Sequence, residues 1–408
     1  MNRRATSRSG PLARVFRTVL YLILFVAGAL VVGWYLSRPS EPDAFYAAPS
    51  SLPAASGTLL RSESISGPVP DGATAWRILY TTTRADGSPS IASAIVMATA
   101  SAGEGPRPVL AWAHGTTGIV PGCAPSMTQP FANVPALDAA LAEGWVYVAT
   151  DYIGLGTSGG HAYLVGDEAA RAVIDSVRAA RALPDLALDR RTIVWGHSQG
   201  GNSALWSGMR AAAGDGAGDI DLVGIAALAP ASDLPGLFEA GRGTMFGKIV
   251  SAYLLVAYAG AYPDVPLADT LAPDADVLAR DIAARCVGGF ATLFSVLETM
   301  LLPSAGIFAH DPADGALGVR LRENVPAGPF DMPLFVAQGE TDDLVLPSIQ
   351  DGYVAALCQA GATIDYRRYE DRDHLSLVAP DSPLVPDLVA WTRDRFEGHA
   401  IPAGCSTD

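Results

Sequence analysis

A serine stands between glycines in Gly196-His197-Ser198-Gln199-Gly200, directly after the apolar run at residues 192–195 and before a helix-forming stretch at residues 201–206. This order predicts a strand, a sharp turn and a helix, with Ser198 at the apex of the turn. Glycines on both sides keep Cβ atoms away from the turn and leave the serine hydroxyl accessible to a base. We therefore expect Ser198 to be a nucleophile, the alternative being an ordinary structural turn in a glycine-rich chain.

A serine hydroxyl is a weak nucleophile at neutral pH, so it needs a histidine base that is oriented by a carboxylate. When the serine lies on such a turn, the acid comes next along the chain and the histidine comes last. Of the six histidines, His374 follows a predicted strand at residues 363–369 and precedes the last predicted helix. We expect His374 to be the base, the alternative being a histidine in a surface loop.

The acid should follow the preceding strand, at residues 334–337, where the segment 338–345 carries Asp342 and Asp343 side by side. Neighbouring side chains in a loop point in different directions, so one of them can face His374 while the other meets water or caps a helix. We prefer Asp342, and Asp343 stays open on these grounds.

The oxyanion that forms during acyl transfer needs hydrogen-bond donors. One expected donor is the backbone NH of Gln199, which follows the nucleophile. The other should come from the loop after the strand at residues 109–113, which reads His114-Gly115-Thr116-Thr117-Gly118. A glycine there lets the backbone approach a substrate, and we choose the NH of Thr116, with Gly115 and Thr117 as alternatives.

Strands and helices must bring these residues together, and they alternate from about residue 71 onward. Near-continuous apolar runs predict strands that are buried on both faces, so we expect an α/β fold with a mostly parallel central sheet, helices on both faces and a leading antiparallel hairpin. The core is expected at residues 71–230 and 331–408. Residues 231–330 are predicted to form a helical cap, the alternative being an insertion that only buries core.

The N-terminus carries several arginines before an uncharged apolar run at residues 19–36. This pattern predicts that residues 1–38 form an uncleaved signal anchor, or else a cleaved signal peptide, and that the rest of the chain lies outside the cytoplasm. Residues 39–70 are rich in Pro, Ser, Ala and Gly, which predicts a linker. The membrane is thus the expected partner of the N-terminal segment.

The four cysteines are an even set without C-x-x-C spacing, which favours disulfides in an oxidising compartment over a zinc site. Cys358 and Cys405 flank the last predicted helix and are paired on that ground, which leaves Cys123 with Cys286. Two other pairings and four free thiols remain alternatives. No ligand-like cluster of His and Cys indicates a metal or organic cofactor, and the net charge of -15 disfavours nucleic acid as a partner.

Taken together, these motifs resemble the α/β-hydrolases and, within them, the secretory lipase family of lipase-A-like enzymes. The resemblance spans about residues 62–405, and the motifs that carry it are His114-Gly115-Thr116-Thr117-Gly118, Asp151-Tyr152-Ile153-Gly154-Leu155-Gly156, Gly196-His197-Ser198-Gln199-Gly200-Gly201, residues 338–345 and Asp373-His374. It implies Asp342 as the acid, three residues after Gly339, and a helical cap between core strands. The chain departs from the family at Leu346, where proline is frequent, and in its predicted tether.

The resemblance implies a serine hydrolase that cleaves carboxylic esters, either acylglycerols or smaller acyl substrates, through an acyl-enzyme on Ser198. Because triad chemistry does not choose between water, amine and alcohol, a serine peptidase or an acyltransferase is the alternative. A catalytically silent, membrane-tethered binding protein is a third hypothesis. The sequence does not indicate an oligomeric state.

Overall fold

The strands form one sheet in the computed structural model, which describes residues 11–67, 69–99, 105–132, 134–184, 186–215 and 218–407. The strands are β1 (Leu59–Ser64), β2 (Ala73–Thr83), β3 (Pro89–Thr99), β4 (Arg107–Ala113), β5 (Val146–Ile153), β6 (Leu188–His197), β7 (Asp221–Leu228), β8 (Leu334–Gly339), β9 (Ile364–Tyr369) and β10 (Cys405–Thr407). Their order across the sheet is β1-β2-β3-β5-β4-β6-β7-β8-β9-β10. The pairs from β1 to β5 are antiparallel and all later pairs are parallel, which confirms the predicted mostly parallel sheet.

Helices cover both faces of this sheet, as the sequence predicts for an α/β fold. They are α1 (Pro11–Leu36), α2 (Leu137–Ala142), α3 (Gly166–Ala180), α4 (Gln199–Ala212), α5 (Leu234–Gly241), α6 (Met245–Ala261), α7 (Leu267–Thr270), α8 (Asp276–Ala283), α9 (Gly289–Thr299), α10 (Gly315–Glu323), α11 (Pro347–Gln359) and α12 (Leu384–Phe396). One core lies between the sheet and α3, α4 and α11, and another lies between the sheet and α2 and α12. Alternate residues of β4 enter the two cores, which explains its unbroken apolar sequence.

A helical insertion separates β7 from β8 and contains α5 to α10. It has a hydrophobic core of its own, in which Phe238, Tyr253 and Leu255 are buried. A segment of this length inside a compact domain needs such a core to remain ordered. The predicted cap at residues 231–330 coincides with these helices, and its role as a cap stays a prediction.

Helix α1 is long and apolar enough to cross a membrane, with a mean hydropathy of 2.4 over its most apolar window, which is not buried by the rest of the protein. It coincides with the predicted signal segment at residues 1–38, of which residues 1–10 lie outside the described part of the chain. The structure therefore gives this segment the form that either a signal or an anchor requires.

The prediction of a linker at residues 39–70 is wrong. Phe45 and Tyr46 are buried against the first strands, and β1 forms within this segment and pairs with β2. The Arg61 guanidinium also donates hydrogen bonds to backbone carbonyls of residues 44, 45 and 47. The prediction relied on the Pro- and Ser-rich composition of the segment. It overlooked Phe45 and Tyr46, whose apolar surface is enough to pack the segment onto the core.

Two disulfides join Cys123 to Cys286 and Cys358 to Cys405, the same pairs that the sequence analysis favoured. The first connects the loop after β4 with the segment between α8 and α9, so it ties the core to the helical insertion. The second fixes β10, at the edge of the sheet, to the end of α11.

Candidate active site

Ser198 lies on a strained turn between β6 and α4, with a φ of 58° in a region that only glycine adopts readily. The flanking glycines leave no room for side chains. A Cβ on Gly200 would lie 1.8 Å from the carbonyl oxygen of Ala113, and a Cβ on Gly196 would lie 2.0 Å from that of Gly200. This packing forces the turn and places Ser198 at the carboxyl edge of the sheet, in front of the N-terminus of α4.

The carboxylate of Asp342 is buried and surrounded by donors. His374 Nδ1 lies 2.8 Å from Oδ2, to which Gln338 Nε2 also donates at 3.1 Å. The backbone NH groups of Leu344 and Val345 donate to Oδ1 at 2.9 and 2.8 Å. A carboxylate oxygen accepts hydrogen bonds, so a neutral imidazole that donates to it from Nδ1 has its lone pair on Nε2, as a general base requires.

Asp343, the alternative acid, is exposed to solvent. Its neighbour Asp342 points inward because the turn after β8 directs its carboxylate onto the NH groups of Leu344 and Val345. The structure therefore brings Asp342, rather than Asp343, to His374.

The loop that carries His374 is tied to the residue before Ser198. His197 Nε2 lies 2.8 Å from the carbonyl oxygen of His374, and the two imidazole rings are 4.6 Å apart between centroids. A carbonyl oxygen only accepts, so His197 is the donor. Burial, followed by the proximity of His374, lowers the pKa of His197 to about 3, which keeps this side chain neutral.

The loop predicted to hold the oxyanion lies against the same turn. A Cβ on Gly115 would lie 3.7 Å from the Ser198 Cβ, so the loop backbone passes close to Ser198. The hydroxyl of Thr116 is hydrogen-bonded to that of Tyr163 at 2.7 Å, and the carbonyl of Thr117 accepts from the NH of Val287 at 2.8 Å. These contacts fix the loop from outside, and the choice of Thr116 as donor stays a prediction.

Gln199 is the first residue of α4, so its backbone NH is one of the free donors at a helix N-terminus. Its buried side chain lies against His161, with 2.9 Å between Gln199 Nε2 and His161 Nε2. His161 Nδ1 donates to the carbonyl of Ile153 at 3.0 Å, so Nε2 is the acceptor. Burial lowers the pKa of His161 to about 3 and keeps it in this neutral form.

Sequence reasoning missed the supporting roles of several buried residues. Asp151 was quoted only as part of a motif, yet its carboxylate accepts hydrogen bonds from the hydroxyls of Ser93 and Ser126 and from the NH of Ser126. Burial raises the pKa of Asp151. Tyr163 and His161 were also not recognised, because the loop and helix they support are distant in sequence. The available signal was an Asp two residues after the apolar run at residues 145–149, followed ten residues later by a His.

The comparisons with known proteins identify the family and the fold that this chain shares. A family model described as secretory lipase matches residues 127–404. The probable inactive lipase MT1628 of Mycobacterium tuberculosis is 27% identical over 396 residues, covering 89% of this chain and 84% of that protein. The secreted triacylglycerol lipase LIP3 of Malassezia globosa is 25% identical over 410 residues, covering 94% and 88%. The solved structure of Candida antarctica lipase A is similar in fold, with a TM-score of 0.71 at 20% identity, covering 90% and 88%.

Proposed function

Because this chain belongs to the secretory lipase family, we propose that it hydrolyses carboxylic esters of lipids through an acyl-enzyme on Ser198, with His374 as base and Asp342 as acid. That it is a carboxylic-ester hydrolase follows from the family and from relatives such as the Malassezia lipases. The observation that carries the proposed mechanism is the hydrogen bond between His374 Nδ1 and the buried Asp342 carboxylate, on a loop bonded to the turn of Ser198.

In the first half of the reaction, Ser198 Oγ attacks the ester carbonyl carbon while His374 Nε2 takes the hydroxyl proton. The tetrahedral intermediate collapses, the bond from carbon to the alcohol oxygen breaks, and His374 returns the proton to the departing alcohol. In the second half, His374 deprotonates a water that attacks the acyl carbon. The acid leaves, and the proton on His374 restores the Ser198 hydroxyl.

Asp342 holds the imidazole in the tautomer that the reaction needs and stabilises the imidazolium that forms. The negative charge on the carbonyl oxygen is proposed to be stabilised by the backbone NH groups of Gln199 and Thr116. A donor of this kind contributes about 3 to 4 kcal/mol to the transition state. The position of Gln199 at the start of α4 supports its part in this role.

The direct test replaces Ser198 by alanine. Ser198→Ala should lower kcat for p-nitrophenyl butyrate about 10⁶-fold, because alanine has no hydroxyl to form the acyl-enzyme. Ser207→Ala is the matched control, since Ser207 lies on the same helix and its hydroxyl only bonds the carbonyl of Ser203. Equal melting temperatures would show that both variants fold. Full activity of Ser198→Ala would overturn the mechanism.

Related hydrolysis assays distinguish the alternative functions. One relative is described as a probable inactive lipase. A silent scaffold requires that the unaltered protein also fails to hydrolyse the ester. A peptidase would release product faster from an aminoacyl amide than from the matched ester. An acyltransferase would pass the acyl group to an added alcohol in preference to water.

For the substrate, we propose acylglycerols rather than short soluble esters. The description of relatives as triacylglycerol lipases and the apolar helices of the insertion support this choice. The test is an acyl-chain-length profile measured below and above the concentration at which the substrate aggregates. A lipase should gain rate above that concentration, whereas an esterase should saturate below it.

We also propose that α1 remains attached and anchors the protein in a membrane, with the catalytic domain outside the cytoplasm. Its length and hydropathy support this role, and the positive N-terminal segment supports the orientation. The mass of the protein recovered from carbonate-washed membranes should include residues 1–38. Recovery of a shortened, soluble protein would instead identify the segment as a cleaved signal.

A further inference from the structure

One side of α9 is an exposed row of large apolar side chains. These are Phe290, Leu293, Leu297, Met300 and Leu301, the last two directly after the helix, and each is between 42% and 75% exposed. Their spacing of three and four residues places them on one side, which we name the α9 apolar face. The one charged residue of α9, Glu298, turns inward and pairs with buried Arg285. The face therefore presents hydrocarbon without charge.

The C-terminal end of α1 packs beside this face. A Cβ on Gly33 would lie 2.7 Å from Cζ of Phe294, so the absence of a side chain lets the two helices approach closely. At the next residue of α1, the indole NH of Trp34 donates to Asp281 of α8 at 3.2 Å. The membrane-length helix thus leaves the protein body at the edge of the α9 apolar face.

The connection between α1 and the core is not a free tether. A Cβ on Gly122 would lie 2.2 Å from the carbonyl oxygen of Ser40, so the chain after α1 is packed against the loop that carries Cys123. Ser37, Phe45 and Tyr46 are buried as well. Because the segment that follows α1 is held at these points, the orientation of α1 relative to the α9 apolar face is fixed.

We propose that the α9 apolar face docks onto the lipid bilayer in which α1 is embedded. An exposed apolar surface of this kind is uncommon on a soluble monomer and marks an interaction site. The bilayer is the occupant that the geometry favours, because the helix that would enter it emerges next to the face and cannot swing away. The proposal rests on the membrane insertion of α1 and goes beyond ester hydrolysis.

Docking would also bring the predicted oxyanion loop close to the lipid. Val287, two residues before α9, donates its NH to the carbonyl of Thr117 in the predicted oxyanion loop at 2.8 Å. The disulfide between Cys123 and Cys286 joins the same two segments. The α9 apolar face and the predicted oxyanion loop are therefore joined by a hydrogen bond and a disulfide at their near ends.

Site-specific quenching tests the contact in the full-length protein reconstituted into phosphatidylcholine vesicles. Leu301→Cys is labelled with an NBD fluorophore without reductant, so that both native disulfides stay intact. Brominated phosphatidylcholine should quench this label, whereas aqueous iodide should not. The control is Arg190→Cys near the N-terminal end of β6, the end of the strand away from Ser198. There iodide should quench the label and brominated lipid should not.

Flotation of the same vesicles separates the possible failures. If the protein does not float with the vesicles, the anchor and the docking both fail. If it floats but iodide quenches the label at position 301, the face lies in water and the docking proposal is overturned. If neither quencher reaches that label, a second copy of the chain covers the face, and the bilayer proposal is again overturned.

A kinetic arm tests the consequence of docking. The double variant Leu297→Glu with Leu301→Glu should lower the rate of hydrolysis of a vesicle-embedded ester about tenfold or more, because charge opposes burial in lipid. Its rate on soluble p-nitrophenyl butyrate should stay within about twofold of the unaltered protein. Unchanged hydrolysis of the embedded ester would contradict docking. Loss of soluble-ester hydrolysis in the unaltered protein would instead contradict the proposed function, and the quenching result would still stand.

Val319→Glu provides the matched control for this double variant. Val319 is an exposed apolar residue on α10, next to Arg320, which stacks on Tyr262 at the C-terminal end of α6. The end of α9 contacts the opposite end of α6, where Lys248 donates to the carbonyl of Thr299. The 17 residues of α6 span about 25 Å, so a charge at position 319 should leave both rates unchanged.

Discussion

At the scale of single residues, the site depends on a carboxylate that its surroundings hold in one position. Asp342 accepts hydrogen bonds from the imidazole of His374, the side chain of Gln338 and two backbone NH groups. Together these donors fix the orientation of the carboxylate, so that Oδ2 faces Nδ1 of His374 before any substrate binds. Such preorganisation favours the tautomer of His374 that the proposed mechanism requires.

Replacing Asp342 by asparagine tests this dependence. The NH groups of Leu344 and Val345 would keep the amide oxygen at Oδ1, so the amide NH₂ would face His374 and favour the opposite tautomer. We expect Asp342→Asn to lower kcat about 10⁴-fold for a soluble ester. Asp343→Asn is the matched control and should change kcat less than about threefold, because Asp343 is exposed. Equal losses in the two variants would contradict the assignment.

The buried His161 makes a prediction about stability and pH. Burial lowers its folded pKa to about 3, below the value of about 6.5 expected in the unfolded chain. Between these values the unfolded state binds the extra proton, so the stabilisation present above about pH 6.5 is lost as pH falls toward 3. His161→Asn should reduce the slope of unfolding free energy against pH in this window by up to about 1.4 kcal/mol per pH unit.

Urea unfolding at several pH values between 4 and 8 measures this slope. Above about pH 7 the unaltered protein and His161→Asn should have parallel profiles, with the variant less stable because Gln199 loses its partner. Identical slopes between pH 4 and 6 would show that His161 does not remain neutral in the folded protein.

The residues that carry the proposed chemistry were predictable, whereas their supports were not. Ser198, Asp342 and His374 each follow a recognisable strand, and the chain order of such sites limits the choice for each role. Tyr163 and His161 lie in loops and Ser126 lies in a short 3-10 helix, and the partners of all three are set by tertiary packing. No local pattern indicates that the hydroxyl of Tyr163 reaches Thr116, 47 residues earlier.

At the scale of elements, the turn between β6 and α4 depends on the close packing of its glycines. Gly200→Ala should destabilise the protein by about 3 kcal/mol or more, because the new Cβ would meet the backbone oxygen of Ala113 at 1.8 Å. Gly352→Ala is the matched control on α11, where a Cβ would meet nothing within 4 Å. That variant should gain up to about 1 kcal/mol from helix propensity.

Chemical denaturation of both glycine variants distinguishes the two effects, since their free energies of unfolding should change in opposite directions. A Gly200→Ala variant as stable as the unaltered protein would show that the turn can relax. The strained conformation of Ser198 would then not depend on close contact with β4.

Elements with strong apolar patterns were predicted well and segments defined by composition were not. The last helix, which the sequence predicts after His374, is present as α12. The helix after Ser198 was predicted from residue 201, but α4 begins at Gln199, because the sharp turn makes the residue after the serine the first helical one. The predicted linker failed because β1 gains its order from pairing with β2, which composition does not reveal.

At the scale of the whole molecule, the Cys123–Cys286 disulfide joins the core covalently to the helical insertion. Removing both cysteines should lower the free energy of unfolding by about 2 to 5 kcal/mol and should also lower kcat, because the bond lies beside the predicted oxyanion loop. Removing Cys358 and Cys405 should cost stability alone, since that disulfide ties an edge strand. Urea unfolding and ester hydrolysis of the two alanine pairs measure both effects. Equal effects on kcat would contradict the coupling.

The arrangement of α1 beside the insertion was beyond sequence analysis. The hydrogen bond from Trp34 to Asp281 joins residues 247 positions apart, and neither segment carries a local signal for the other. The sequence could predict a membrane-length helix and a helical insertion separately, because each has its own apolar pattern. Their contact follows only from the packing of the segment after α1 onto the core.

The central claim is that Ser198 is a nucleophile activated by His374 and oriented through Asp342, and covalent labelling tests it most directly. The protein is treated with a fluorophosphonate, digested, and mapped by mass spectrometry. The account predicts one adduct, on Ser198, with a labelling rate that falls at least about 100-fold in His374→Ala. An adduct on another residue, or equal labelling of Ser198 with and without His374, would contradict it.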